Sequence, residues 1–167
     1  PYDIHNSSIL SHAAIIQAII DIIDIPAHNY KRDSVVRLLK SPYIRMPLDG
    51  EGNSRLLGHE VDFESRAANI VAGKEDWNRL QSTLKLLKDE LSPVEHHKND
   101  NSALKIRIHR IGDIVLGIDS LFCCLQRLEG EKPVKEHIKV LREILFKELN
   151  LKPCENYPDE ELRKKDA

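Results

Sequence analysis

The sequence's clearest candidate for chemistry is a run of cations in and just after a helix predicted over residues 31–40. Asp33 is the one acidic residue within this run, and we expect it alone to oppose these cations. Guanidinium and ammonium groups at helical spacing can contact nucleic-acid phosphates, and each such contact makes the affinity fall with salt. The alternative is an ordinary solvated helix face, and two flanking tyrosines give little support for base stacking. The candidate DNA contacts are Arg32, Arg37, Lys40 and Arg45, with Lys31 beside them.

Other arrangements that could catalyse a reaction or hold a metal are weak. The segment Gly50-Glu51-Gly52-Asn53 lacks the lysine and the following helix that a phosphate-binding P-loop needs. His96 and His97 could ligate a metal, but adjacent histidines without a second ligand pair at suitable spacing are usually solvated. Asp62 and Glu64 could pass for paired carboxylates, yet helix capping explains the first and the helix dipole the second. With no local signature of a serine nucleophile either, we predict no catalytic residue and no metal site.

Length, charge and cysteine use narrow the class of protein. At 167 residues the chain is long enough for one domain with its own core. A formal net charge of -2 excludes a strongly basic nucleic-acid arm but allows a local patch. No apolar run is long enough to cross a membrane, and Cys123, Cys124 and Cys154 make a poor disulfide framework. We expect a cytoplasmic protein, core packing for Cys123 and Cys124, and a chain cut from a longer protein.

Apolar periodicity predicts an all-α fold, an irregular bundle of about six helices in one domain, with no alternating strand. The helix over 31–40 ends at Ser41-Pro42, because a proline disfavours helical geometry in the residue before it. The other helices are predicted over 12–25, 63–72, 74–91 and 102–128, with one more beginning near residue 133. Outside them we expect the end of a core strand at 1–8, a surface loop at 46–60, a linker at 92–102 and the start of a further helix at 155–167.

Spacing also predicts caps and inward faces. Asp62 suits the N-cap of the third helix and Gly73 its C-terminal end, while Gly112 and Gly117 indicate close helix packing. The predicted inward faces are Ala13, Ile16, Ile19, Ile20 and Ile23 in the first helix, Val35, Leu38 and Leu39 in the second, and Val134, Ile138, Leu141, Leu145 and Leu149 in the last. Ile15 and Ile22 widen the stripe of the first helix, so we expect it to be buried on more than one side.

One stretch resembles a known family. Leu38-Leu39-Lys40-Ser41-Pro42-Tyr43, then Asp62-x-x-x-Arg66, then Ile70-x-x-Gly73-x-x-x-Trp77 resembles the helical insertion of AddB/RexB-like proteins. These are the B subunits of ATP-dependent helicase-nucleases related to superfamily 1 helicases, and the insertion is an accessory domain of the helicase 1B/2B type. Tyr2-Asp3-Ile4-His5 followed by an apolar helix is similar to that family's passage out of its second core domain. In the resemblance, which covers residues 2–80, the scaffold positions are Ser41, Pro42, Tyr43, Asp62, Arg66, Gly73 and Trp77.

The resemblance implies a part in double-strand-break processing, where ATP-driven DNA unwinding is coupled to nuclease digestion. The parent protein would use ATP and Mg, and its nuclease part often holds an iron–sulfur cluster. The three cysteines of this chain do not match the cluster spacing, and we expect no cofactor within these residues. The chain would then be a non-catalytic domain that contacts DNA or the partner subunit of the helicase-nuclease.

Two rival functions need no family. A protein–protein interaction domain of an unrelated multidomain protein predicts no DNA affinity and an exposed apolar groove, formed by the broad isoleucine face of the first helix. A small helical enzyme or ligand binder is disfavoured because no acid–base constellation is visible.

Overall fold

The computed structural model describes residues 14–48, 56–91 and 101–151. Predictions for residues 1–8, 155–167, Ala13, Cys154, His96 and His97, and for most of the linker at 92–102, lie outside the described residues. Within them the chain is helical without a strand, which confirms the all-α prediction. None of these helices has both the length and the apolar character needed to cross a membrane. The elements are α1 (Ala14–Ala27), α2 (Arg32–Lys40), α3 (Gly58–Ala67), α4 (Lys74–Trp77), α5 (Arg79–Leu91), α6 (Ser102–Gln126), α7 (Val134–Glu143) and a π-helical segment (Ile144–Glu148).

The long helix α6 is the centre of the bundle: α5 packs along it, and α1, α3 and the π-helical segment contact it. Apolar side chains from α1, α3, α6 and the π-helical segment form one core. α5 contributes Leu80 to it. At its heart three aromatic rings meet, with the Tyr30 and Phe122 centroids 4.5 Å apart and Trp77 edge-on to Phe122 at 5.7 Å. Val35, Leu38 and Leu39 of α2 are buried as predicted.

The inward face of α1 matches the prediction only in part. Ile22 is buried and Ile19 packs against the core as predicted, but Ala18 and Ile25 are also buried, whereas Ile23 is half exposed. The isoleucines of α1 cover more than half of the circumference of the helix, so their periodicity cannot select one narrow face. The choice is made by packing against α2, which also buries Asp21 on the same side.

The third helix begins four residues earlier than its predicted cap. α3 starts at Gly58, so the last three residues of the loop predicted over 46–60 are helical, and Asp62 lies inside the helix rather than at its N-cap. Residues 49–55 of that loop lie outside the described residues. A Cβ on Gly58 would lie 2.6 Å from the carbonyl carbon of Leu39, so the start of α3 rests directly on the α2 backbone. The capping prediction for Asp62 is therefore wrong.

Two turns, one between α1 and α2 and one before α4, are hydrogen-bonded to each other. The Gly73 N–H donates to the Asn29 carbonyl at 2.6 Å, and the Trp77 indole N–H donates to the Tyr30 carbonyl at 2.9 Å. Gly73 has φ +90°, a conformation that glycine adopts at little cost. It precedes α4 instead of ending α3, and the helix predicted over 74–91 is split at Asn78 into α4 and α5.

The two glycines of α6 behave differently. A Cβ on Gly117 would lie 2.8 Å from the Leu56 side chain, so here the prediction of close packing holds, although the neighbour is a loop leucine. Around Gly112 the described residues leave open space, and the prediction is wrong there. Cys123 is exposed rather than packed in the core, while Cys124 is half buried and its burial raises the thiol pKa to about 11.

The last helix turns the N-terminal part of its predicted inward face to solvent. Val134 and Ile138 are exposed, Leu141 packs at the edge of the core, and only Leu145 and Leu149 are buried as predicted. The change follows from the π-helical segment, whose wider turn holds an extra residue and rotates the apolar stripe. α7 itself has no buried side chain.

Candidate nucleic-acid interface

Three of the four candidate DNA contacts line one cleft. It lies between α1, α2 and α3 and has a volume of about 690 Å³. Arg45 is not among its lining residues; its backbone N–H donates to the Leu149 carbonyl at 3.0 Å. The charged side chains that line the cleft are Arg32, Arg37, Lys40, Arg66, Asp21, Asp33 and Asp62.

Asp62 lies at the centre of an ion-pair cluster, which we call the Asp62 cluster. Its carboxylate accepts hydrogen bonds from Arg32 at 2.7 Å, Lys40 at 2.6 Å and Arg66 at 2.8 Å. The hydrogen bonds from Lys40 and Arg66 lower the Asp62 pKa to about 2. Arg32 also pairs with Asp33 at 3.0 Å. The prediction that only Asp33 opposes the basic run is therefore wrong, because α3 brings a second carboxylate to it.

Arg37 is held by a buried carboxylate. Its guanidinium donates to Asp21 through Nε at 2.8 Å and also through Nη2, and Gln17 donates to the same carboxylate at 3.1 Å. A buried ionised group requires such partners because its desolvation is costly. The sequence carries a signal for this pair, since Asp21 stands in an isoleucine-rich helix where a lone carboxylate would be expensive to bury.

The charges that line the cleft nearly cancel. Four cationic and three anionic side chains line it, which leaves an excess of one positive charge. Arg37, Lys40 and Arg66 nevertheless keep 52%, 46% and 68% of their side chains exposed. A guanidinium has five N–H donors, so those that the aspartates leave unused can reach a phosphate. The aspartates at the same time fix the position of each cation.

A second buried ion pair was missed in the sequence. Glu64 is buried between α3 and α6 and accepts from Arg107 at 3.1 Å and from Arg110 at 3.0 Å. Glu64 thus binds two arginines rather than matching the helix dipole near an N-terminus. The Nε atoms of Arg107 and Arg110 are buried and find no hydrogen-bond partner among the described residues. The sequence signal for this ion pair is the spacing of Arg107 and Arg110, which lie three residues apart on one face of the long helix. The acid opposite them is contributed by α3.

Other polar groups do not form a catalytic arrangement within the described part of the chain. The Tyr30 hydroxyl donates to Glu129 at 2.5 Å, and burial together with this bond raises the tyrosine pKa. Lys74 lies 4.5 Å above the Tyr30 ring and pairs with Glu129 at 3.2 Å, so these side chains connect helix ends. In the described ranges, histidine, cysteine and acidic residues form no group of three or more that could hold a metal ion.

Replacing Asp62 with asparagine is expected to destabilise the protein in a pH-dependent way. A folded-state pKa near 2, against an ordinary value of 3.8, means that the carboxylate stabilises the fold above about pH 4 and loses this effect as the pH falls toward about 2. Urea denaturation followed by circular dichroism at several pH values measures the difference between wild type and Asp62→Asn. Asp33→Asn, which removes an exposed carboxylate paired with Arg32, is the control. A difference that stays constant down to the lowest pH contradicts the ion-pair assignment.

Compared with known proteins, the chain matches no protein-family model and shows no significant similarity to a curated protein or to a solved structure.

Proposed function

We propose that this chain is a non-catalytic helical accessory domain of a cytoplasmic AddB/RexB-like ATP-dependent helicase-nuclease that processes double-strand breaks, and that it contacts DNA through the cleft between α1, α2 and α3. The observation that carries the proposal is the set of four cations held at fixed positions along this cleft. ATP, Mg and any iron–sulfur cluster would belong to other parts of the parent protein. A partner subunit is the second contact that this role implies.

The ordered cations favour phosphate contact in one respect and limit it in another. Because each side chain is already positioned by an aspartate, binding a phosphate costs little side-chain entropy. Because the aspartates cancel most of the charge, the electrostatic attraction is small. Arg37, Lys40 and Arg66 are the exposed members, so the cleft can contact about three phosphates at most, which corresponds to weak, strongly salt-dependent binding.

The positions that carry the family resemblance support the same role. Trp77 and Gly73 join the two hydrogen-bonded turns, and Tyr43 is buried just after α2, as expected of scaffold residues. Asp62 and Arg66 are scaffold residues that also line the cleft. The framework of the resemblance and the candidate interface therefore coincide around α2 and α3.

Neutralising two cleft cations is expected to weaken DNA binding. We expect Lys40→Gln/Arg66→Gln to lower the affinity for single-stranded and junction DNA by about three- to tenfold. The plot of log affinity against log salt should become shallower by about 0.7 for each phosphate of single-stranded DNA that the variant no longer reaches. Fluorescence anisotropy of labelled DNA over a salt series measures both quantities.

The matched control is Lys85→Gln/Lys88→Gln, which removes the same charge from the surface of α5. Arg37 is left intact because its loss would strip buried Asp21 of its cationic partner and confuse binding with stability. Equal effects of the two double variants would show that the cleft does not bind the DNA. An unchanged affinity in Lys40→Gln/Arg66→Gln would lead to the same conclusion.

The family attribution has its own test. Sequencing the parent reading frame on both sides of the chain should find a Gly-x-x-x-x-Gly-Lys-Ser/Thr loop upstream and an acidic nuclease motif downstream. Start and stop codons close to both ends would remove the helicase-nuclease proposal while leaving the DNA-binding test valid.

One observation favours the rival function, a protein–protein interaction domain. The structure has exposed apolar side chains beside α7, and Ile23 of α1 contributes to them. The isoleucine helix thus supplies one edge of an apolar groove, as that rival expects, although most of the apolar surface comes from α7.

A further inference from the structure

α7 is an amphipathic helix whose apolar side is only partly covered by the described residues: Val140 and Leu141 pack against the core, whereas Val134 and Ile138 do not. Val134, Ile138 and Phe146, the last in the π-helical segment, are 73%, 53% and 60% exposed, and no side chain of α7 is buried. An amphipathic helix is normally stabilised by burying its apolar face against the rest of the protein. Here Val134 and Ile138, at the N-terminal end and in the middle of α7, remain largely in solvent, although the helix continues into the π-helical segment that packs on the core.

These side chains line two adjoining grooves that share Ile138. The inner groove, of about 600 Å³, lies between α7 and the C-terminal end of α1, with Ile23 and Leu128 on its other wall. The outer groove, of about 760 Å³, contains Ile138 and Phe146 and is lined only by residues of 133–147. We call the two grooves together the α7 surface. The inner groove has walls on two sides and can accept the ridge of a helix.

Cations surround the outer groove. Lys135, Lys139, Arg142 and Lys147 line it, and none of them makes an ion pair with any residue in the described part of the chain. The acidic residue Glu143 is bound to Arg127 and therefore does not neutralise them. Glu136 is the other carboxylate in the lining. The rim thus carries a clear excess of positive charge, in contrast to the nearly neutral cleft between α1, α2 and α3.

We propose that the α7 surface binds an amphipathic helix of a partner protein, one whose apolar ridge is flanked by aspartate and glutamate. The apolar ridge would fill the groove around Ile138 and Phe146, and the acidic flanks would pair with the four rim cations. The proposal goes beyond DNA contact, since it uses none of the residues of the α1–α2–α3 cleft. It holds whether or not the parent protein is a helicase-nuclease.

Charge and shape favour an acidic helix on the α7 surface over a second copy of the chain or a membrane. A second copy of the chain would bring like-charged rims together, which opposes association. A membrane-binding helix presents its apolar side chains on a convex face, whereas Val134 and Ile138 line the inner groove, and Glu136 lies in the outer one. An acidic helix satisfies both the shape and the charge.

The experiment selects helical peptides from a displayed random library on the 167-residue chain and measures the enriched peptides by fluorescence anisotropy. We expect sequences with apolar residues at every third or fourth position and an excess of aspartate and glutamate. Ile138→Ser/Phe146→Ser should weaken their binding by about tenfold or more, as expected when two apolar anchors are removed from the groove. Lys135→Glu/Lys139→Glu should weaken it too, and wild-type binding should fall with salt.

Matched controls are Val71→Ser/Leu86→Ser and Lys85→Glu/Lys88→Glu, which alter apolar and basic residues away from α7 and should leave the affinity unchanged. Circular dichroism checks that every variant is folded. The proposal is overturned if no peptide is enriched, if the enriched peptides are not acidic, or if they bind Ile138→Ser/Phe146→Ser as tightly as wild type. It is also overturned if vesicles of phosphatidylserine and phosphatidylcholine occupy the α7 surface instead, or if sedimentation shows self-association that Ile138→Ser/Phe146→Ser abolishes.

Discussion

Trp77→Ala should lower the free energy of unfolding by about 3–5 kcal/mol, the usual cost of removing a large buried aromatic side chain. The indole is almost fully buried and lies edge-on to Phe122. Its N–H donates to the Tyr30 carbonyl at 2.9 Å, so the substitution also removes the donor from a buried acceptor. Trp77 is the only tryptophan of the chain, so urea denaturation must be followed by circular dichroism rather than by intrinsic tryptophan fluorescence.

Trp77→Phe separates the contribution of aromatic packing from that of the hydrogen bond to Tyr30. It retains an aromatic ring against Phe122 and removes the hydrogen bond, so a smaller decrease of about 1–3 kcal/mol is expected. If the alanine variant were destabilised by less than about 1 kcal/mol, the indole would not be packed as described. Equal decreases in the two variants would assign the whole effect to the hydrogen bond.

Gly58→Ala should lower the free energy of unfolding by about 2–3 kcal/mol, although alanine is the better helix former. The added methyl group would lie 2.6 Å from the carbonyl carbon and oxygen of Leu39 and 2.7 Å from the Lys40 nitrogen. All three are backbone atoms of α2, which cannot move aside as a flexible side chain would. The two helices must separate, and thermal unfolding of the purified variant measures the cost.

Gly112→Ala is the matched control, because it makes the same chemical change inside a helix. A Cβ at Gly112 meets no other atom of the described residues within 4 Å, so only helix propensity acts and a gain of about 1 kcal/mol is expected. If Gly58→Ala and Gly112→Ala changed the free energy of unfolding in the same direction, α3 would not rest on the α2 backbone.

The all-α fold and the interior of α2 were accessible from the sequence because both depend on local periodicity. Val35, Leu38 and Leu39 stand on one side of a helix whose other side is charged, so only one arrangement buries them. The predicted face of α1 was only partly right because its isoleucines cover more than half of the helix circumference. The π-helical segment after α7 could not be predicted, since periodicity assumes a constant turn and one extra residue shifts everything after it.

The candidate site was predictable only in part for a related reason. The cations of α2 could be read from the sequence because they are neighbours on one helix. Asp62 looked like a cap because capping is a local rule, whereas its observed role depends on Arg32 and Lys40, which α2 contributes from across the cleft. The pairs of Glu64 with Arg107 and Arg110 likewise join residues more than forty positions apart. Charge cancellation between helices is a tertiary property.

The two hydrogen-bonded turns have a consequence for cooperativity. The bonds from Gly73 to Asn29 and from Trp77 to Tyr30 connect segments more than forty residues apart, and both lie beside the aromatic rings at the core. Opening either turn would expose Trp77, so the α1–α2 pair and the α3–α4 pair cannot unfold one at a time at low cost. Folding of this helical protein therefore includes a step that joins segments distant in the sequence. We expect the first four helices to unfold together as a single unit.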